Sequence, residues 1–279
     1  MIIDCHTHLF PEEISRNRER FLDGEPAFQM IYRSKKATMI GVEALIQEMD
    51  ESGVDVSVVC GFPWVNPETV KKNNDYILEA VARYPKRLIG LACFDAYSEK
   101  IAEETERCIR GGMQGVGELA FYLSGIDDAA LDRLAPVMAI LSAHRLPAMI
   151  HTNESVGHRY PGKTDITLPQ IYAIPKRFPD NAIIFAHFGG GVFFYNLLKK
   201  EVRETLKNVY YDTAAAPFLY DERIYRYAME LAGEEKILFG SDYPLIKPSR
   251  YFREMAESGL SDQYAIRIKG ENARRIFRV

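Results

Sequence analysis

A chain of 279 residues with 47% hydrophobic and 27% charged side chains can bury a large core and has the balance of an ordinary folded protein. Its formal net charge of -4, with Lys and Arg interleaved among Asp and Glu, supplies no electrostatic reason to expect a nucleic-acid partner. No run of about eighteen apolar residues offers a membrane span, no basic segment leads into an apolar leader, and the four cysteines stand singly without CxxC spacing; a reduced, cytoplasmic protein is the expectation.

Along the chain, short apolar runs alternate with longer segments of helical character. Strands are expected at residues 2–6, 54–60, 88–93, 115–119, 147–151, 182–187, 209–212 and 237–240. Helices are expected between and after them, at 42–52, 67–84, 99–110, 128–143, 168–178, 190–204, 221–232 and 248–258. Pro85, Pro147 and Pro179 each follow the end of a helix, and Gly53 is placed to cap the helix before the second strand. Repeated strand–helix units make a parallel sheet covered by helices. Eight of them in 279 residues suit an α/β fold closed as a (β/α)8 TIM barrel. The alternative, an open doubly wound sheet, lacks a G-x-G-x-x-G after the first strand. Two connections are long: 11–37, read as a lid or arm, and 152–167, which contains Gly157, Pro161 and Gly162. No shift of composition divides the chain, so 1–279 is read as one domain.

Polar residues gather where such a barrel would use them, at the carboxyl ends of strands. Of six histidines, His6 and His8 end the first strand, His151 the fifth and His187 the sixth. Asp242 follows the eighth. Side chains two apart on a strand share a face, so Asp4, His6 and His8 align, with Asp4 a layer below. Three imidazoles and a carboxylate are donors for a divalent metal with room left for water. Zinc fits them best, and manganese, iron and cobalt are compatible. His187 is then free to act as base or to protonate the reacting group. Glu118 ends the fourth strand and is expected beside the ligands or against the substrate rather than among them. His158 is expected at the cavity mouth or as a loop fastener, and His144 has a structural place late in its helix. Phe10, Phe62, Trp64, Phe121, Phe188 and Tyr243 follow strand ends and are candidates for an aromatic lining around a small, cyclic or aromatic substrate.

The ordered set Asp4-x-His6-x-His8, His151, Ala186-His187-Phe188-Gly189-Gly190, Gly240-Ser241-Asp242-Tyr243-Pro244 and Gly270-Glu271-Asn272-Ala273-Arg274-Arg275-Ile276-Phe277 resembles the amidohydrolase superfamily. Within it, the chain is similar to the amidohydrolase-2 branch and its aminocarboxymuconate-semialdehyde decarboxylase group. The resemblance implies one divalent ion held by His6, His8, His151 and Asp242, with His187 as the catalytic histidine and a homodimer as the assembly. Relatives with two metals use a bridging carboxylated lysine at the fourth strand, where this chain has Glu118. Decarboxylases of the branch add an arginine after the first strand, for which Arg16, Arg18, Arg20 and Arg33 are available.

The first functional reading is hydrolysis: activated water, with Asp242 or His187 taking its proton, attacks an ester, amide or lactone. The alternative enzyme is a non-oxidative decarboxylase of a small aromatic or enol-type acid. A barrel that only binds a ligand would be expected to have lost one of the five strand-end residues, and none is missing.

Overall fold

The computed structural model describes residues 1–123 and 125–279. All eight expected strands are present: β1 (Ile3–His8), β2 (Val56–Cys60), β3 (Leu88–Gly90), β4 (Val116–Leu119), β5 (Ala148–Ile150), β6 (Ile183–Phe185), β7 (Val209–Asp212) and β8 (Ile237–Leu238). They pair in parallel and in chain order, as one run β1–β2–β3 and another β4–β5–β6–β7–β8. Backbone bonds close both gaps. Between β3 and β4, Ala92 N donates to Gly115 O at 3.0 Å and Gly117 N to Ala92 O at 2.8 Å. Between β8 and β1, Cys5 N donates to Phe239 O at 2.8 Å and His8 N to Tyr243 O at 2.9 Å. The result is the closed α/β barrel that the alternation implies.

Strands buried on both faces read as continuous apolar runs, and successive residues divide between two clusters. Val58, Met149, Ile184 and Leu238 fill the barrel with Ala273 and Phe277 from the terminal helix. Val59, Ile150, Phe185 and Ile237 pack instead against helix residues such as Leu45, Ile77, Leu134 and Met255. The surrounding helices start and stop on local chemistry. Asn66 accepts from Glu68 N and Thr69 N with Pro67 in the first turn, and Gly53 adopts φ 70° after the helix Val42–Ser52. Residues 11–37 form two short helices, Glu12–Arg16 and Pro26–Tyr32, joined through a 3-10 turn at Arg18–Phe21. No helix among the described residues is long and apolar enough to cross a membrane.

Two departures from the sequence reading shape the site. Strands β1 and β4 each carry one extra residue against their neighbours, between Asp4 and Thr7 and between Val116 and Leu119. Such bulges re-aim side chains, and these two lie at His6 and at Glu118. Gly117 makes the second one feasible, because a Cβ there would sit 2.5 Å from Met149 Cβ. The other departure is the helix expected at 190–204. Its first part is replaced by a 3-10 segment, His187–Leu197, and an α-helix is found only at Lys200–Thr205. The backbone is left-handed at His187, Phe188, Gly189, Gly190 and Gly191, which no α-helix allows. Helical spacing of the apolar residues there conceals a glycine-rich turn.

Candidate metal centre

Six of the eight strand ends deliver one or two groups each to a common point above the barrel. His6 and His8 come from β1, Glu118 from β4, His151 and His187 from the residues just past β5 and β6, and Asp242 from the turn after β8. Asp212, at the end of β7, completes the ring.

Hydrogen bonding fixes which nitrogen of each imidazole is bare. His6 Nδ1 lies 2.8 Å from Asp212 Oδ2, and His8 Nδ1 lies 3.1 Å from the Gly61 carbonyl. His151 Nε2 lies 3.0 Å from the Gly162 carbonyl, and His187 Nδ1 lies 2.9 Å from the Ala214 carbonyl. A carbonyl or carboxylate only accepts, so those four nitrogens carry hydrogens, which leaves the other four as the ones a metal could take. These nitrogens face one another: His6 Nε2 and His8 Nε2 are 3.1 Å apart, and His151 Nδ1 and His187 Nε2 are 3.2 Å apart. Two bare nitrogens at that distance repel unless a proton or a metal ion lies between them.

Carboxylates stand ready for the same cation. Glu118 Oε1 is 3.0 Å from His151 Nδ1 and 3.5 Å from His187 Nε2, while its Oε2 is 3.6 Å from His6 Nε2. Two convergent trios result, His6–His8–Glu118 and Glu118–His151–His187. The sequence reading sets Glu118 beside the ligands; the β4 bulge puts it between them. Asp242 Oδ1 lies 3.3 Å from His8 Nε2. Burial opposes charge on His6, yet Glu118 and Asp212 outweigh it and lift its pKa well above the ordinary value. His187 is lifted against burial through Glu118 and Asp242. Burial alone would raise Glu118 and Asp242, but the imidazoles hold both below the usual carboxylate range. The electrostatics therefore call for positive charge at the centre. A divalent ion fits this nitrogen and oxygen donor set and would displace the protons from those nitrogens.

Supporting groups occupy the next positions out. Asp212 Oδ1 accepts from His187 N at 2.9 Å and from Ala214 N at 3.0 Å, so one carboxylate orients both His6 and the turn carrying His187. Asp4 does not reach the centre. Buried, it accepts from Ser241 N and Oγ and from His6 N, and burial pushes its pKa up to about 7. His187 and Asp242 both have positive φ, at 56° and 58°, backbone strain of the kind that collects at working residues. The His187 turn also depends on Gly190, where a Cβ would fall 2.3 Å from Asn153 O at φ 60°. Gly190→Ala is expected to lower stability by about 2–4 kcal/mol in chemical denaturation, from overpacking plus left-handed strain.

The centre forms the floor of a cavity of about 640 Å³. His8, Glu118, His151, His187 and Asp242 line it, with Tyr32, Phe62, Tyr122, His158 and Tyr160 in its walls. Of the aromatic lining expected from sequence, only Phe62 is there. Trp64 is fully buried behind it, its indole N–H donating to Asn73 Oδ1 at 2.9 Å, and Phe10, Phe121 and Phe188 are buried as well. None of the four candidate arginines lines the cavity. Arg16 pairs with Glu12, Arg33 with Gln29, and Arg18 holds the carbonyls of Tyr32, Ser34 and Ala37. Lys36, on the turn that Arg18 secures, is the one lysine or arginine among the described residues of the lining. The sequence reading passes over Asp212, Tyr32, Tyr122 and Lys36. The strand-end rule that finds His151 would have found Asp212, which ends Val209-Tyr210-Tyr211-Asp212.

The family model described as Amidohydrolase matches residues 3–279. The chain belongs to the amidohydrolase family. It is 24% identical to a 2-amino-3-carboxymuconate-6-semialdehyde decarboxylase from Dictyostelium discoideum, over 96% of this chain and 91% of that protein. Among solved structures it is similar to 5-carboxyvanillate decarboxylase from Sphingomonas paucimobilis, with a TM-score of 0.78, 19% identity, and coverage of 100% of this chain and 99% of that one. It is also similar to dihydroxybenzoic acid decarboxylase from Polaromonas with bound manganese and the inhibitor 2-nitroresorcinol, with a TM-score of 0.74, 17% identity, and coverage of 99% and 96%. These structures share the barrel of this amidohydrolase over its whole length.

Proposed function

We propose that this amidohydrolase is a metal-dependent, non-oxidative decarboxylase of a small aromatic or enol-type carboxylic acid. The observation that carries the reading is the cavity: convergent donors at its floor, rings of Tyr32, Phe62 and Tyr122 in its wall, and a single lysine at residue 36. Metal chemistry alone leaves hydrolysis first, as the sequence reading has it. The decarboxylase activities named for the similar proteins favour carbon–carbon cleavage instead.

His6, His8, His151 and Asp242, with Glu118 between the two trios, would hold one divalent ion. Manganese has the support of the Polaromonas structure, ahead of the zinc expected from donor types. When bound, the ion supplies positive charge against the oxygens of the substrate. Asp242, held ionised by its imidazole neighbours, takes the proton of the hydroxyl or enol next to the carboxylate. It then returns that proton to the carbon bearing the carboxylate, forming a C–H bond. The carbon–carbon bond breaks, its electron pair flows back into the ring, and carbon dioxide leaves. His187, turned inward by Asp212 and Ala214, keeps its Nε2 directed at the reacting group.

The test is turnover of hydroxylated aromatic acids in heavy water by the manganese-loaded protein. One carbon dioxide per product and one deuterium at the vacated carbon are expected. Cleavage of esters or lactones with solvent oxygen in the product, and no carbon dioxide, would return the hydrolase reading. Lys36→Ala should raise KM for an acid substrate about tenfold, the loss of one charge-assisted contact, with kcat nearly unchanged. An unchanged KM would remove Lys36 from substrate recognition.

A further inference from the structure

The connection of residues 152–167 has no regular secondary structure, yet its two legs are buried while residues 155–159 at its tip are exposed. The legs are stitched together by side chains. Asn153 Oδ1 accepts from Thr164 N at 2.9 Å and Oγ1 at 2.7 Å, and Asn153 Nδ2 donates to Thr164 O at 3.1 Å. Beside them lies Lys163, whose side chain is only 4% exposed. Its ammonium donates to Glu154 Oε1 at 2.7 Å and to the Val156 carbonyl, and it approaches the Tyr160 ring at 5.5 Å. Tyr160 Oη in turn donates to Glu154 Oε2 at 2.8 Å.

We infer that Lys163 and Glu154 form a latch that positions His151 for metal binding. The link is Gly162, the residue before Lys163. Its carbonyl accepts from His151 Nε2 at 3.0 Å, and that bond keeps the hydrogen on Nε2 and leaves Nδ1 bare towards Glu118 and His187. Gly162 is buried with φ 97°, and a Cβ built on it would meet nothing within 4 Å, so it has no side chain to fix its own carbonyl. Lys163, tied across the loop to Glu154, supplies that restraint beside the Asn153–Thr164 bonds. The same latch sets the cavity wall, because His158, Tyr160, Pro161 and Gly162 all line it. Lys163 is a positioning residue: it touches neither the metal nor the substrate.

The inference rests on the reading of His151 as a metal ligand, and the test separates the two. Manganese is titrated into the full chain stripped of metal, for the natural protein, Lys163→Met, Lys163→Arg and Glu154→Gln. Lys163→Met and Glu154→Gln should each weaken manganese affinity about tenfold or more, while Lys163→Arg, which restores the cation, stays near the natural value. Thermal unfolding of the metal-free chains controls for general damage, and Glu154→Gln carries the test if Lys163→Met does not fold. Natural protein that binds manganese as tightly as both latch variants would overturn the latch alone. Natural protein that takes up no manganese would overturn the ligand assignment and the latch with it.

Discussion

Glu118→Gln should give a folded protein that no longer retains its metal through dialysis and has lost at least about a hundredfold in activity. The exchange preserves volume and removes one charge. That charge belongs to both trios, with one oxygen turned to His151 and His187 and the other to His6. Without it Asp242 sits nearest His8 and His6, and the His151–His187 pair loses the one carboxylate in contact with it among the described residues. The same carboxylate lifts the affinity of His6 and His187 for positive charge of any kind, proton or metal. Elemental analysis after dialysis checks the result. Full metal content with undiminished turnover would mean that Glu118 is a bystander.

Asp212→Asn is the second large effect, and it works through a residue outside the two trios. The carboxylate accepts three hydrogen bonds: His6 Nδ1–H on Oδ2, and the backbone N–H groups of His187 and Ala214 on Oδ1. An amide has one accepting end. If its oxygen keeps the two backbone donors, its NH2 faces His6 Nδ1, which must then accept. The His6 hydrogen moves to Nε2 and points at His8 Nε2, into the position a metal would occupy. If the amide is flipped, its NH2 confronts two N–H groups and the His187 turn loses its anchor. Either way, metal affinity and activity should fall by about ten- to a hundredfold. Metal-activation curves for the two proteins measure it, and superimposable curves would contradict the tautomer argument.

The contrast between these residues shows what a sequence makes visible. Period-2 and period-3.6 patterning is local, so all eight strands and most of the helices can be read directly. The strand-end rule then collects His6, His8, His151, His187 and Asp242 without any contact information. Register is not local. The extra residues in β1 and β4 depend on how each strand meets its neighbour, and they decide that Glu118 enters the centre. Long side chains are equally opaque: Arg18 and Lys36 lie in one arm, yet Arg18 turns to backbone carbonyls while Lys36 is among the residues that line the cavity. Trp64 follows a strand end as Phe62 does, but only a fold in three dimensions shows that Asn73 and the rings around it claim its indole. At 187–191, glycine content outweighs apolar spacing, a choice that depends on the room Asn153 leaves.

A single divalent ion should join the imidazole nitrogens and the carboxylates above the barrel. Anomalous diffraction from crystals of the manganese-loaded protein tests it most directly. One strong manganese peak among His6 Nε2, His8 Nε2, His151 Nδ1, Glu118 and Asp242 is the expected result; manganese bound only elsewhere, or none at that point in fully loaded crystals, would contradict it.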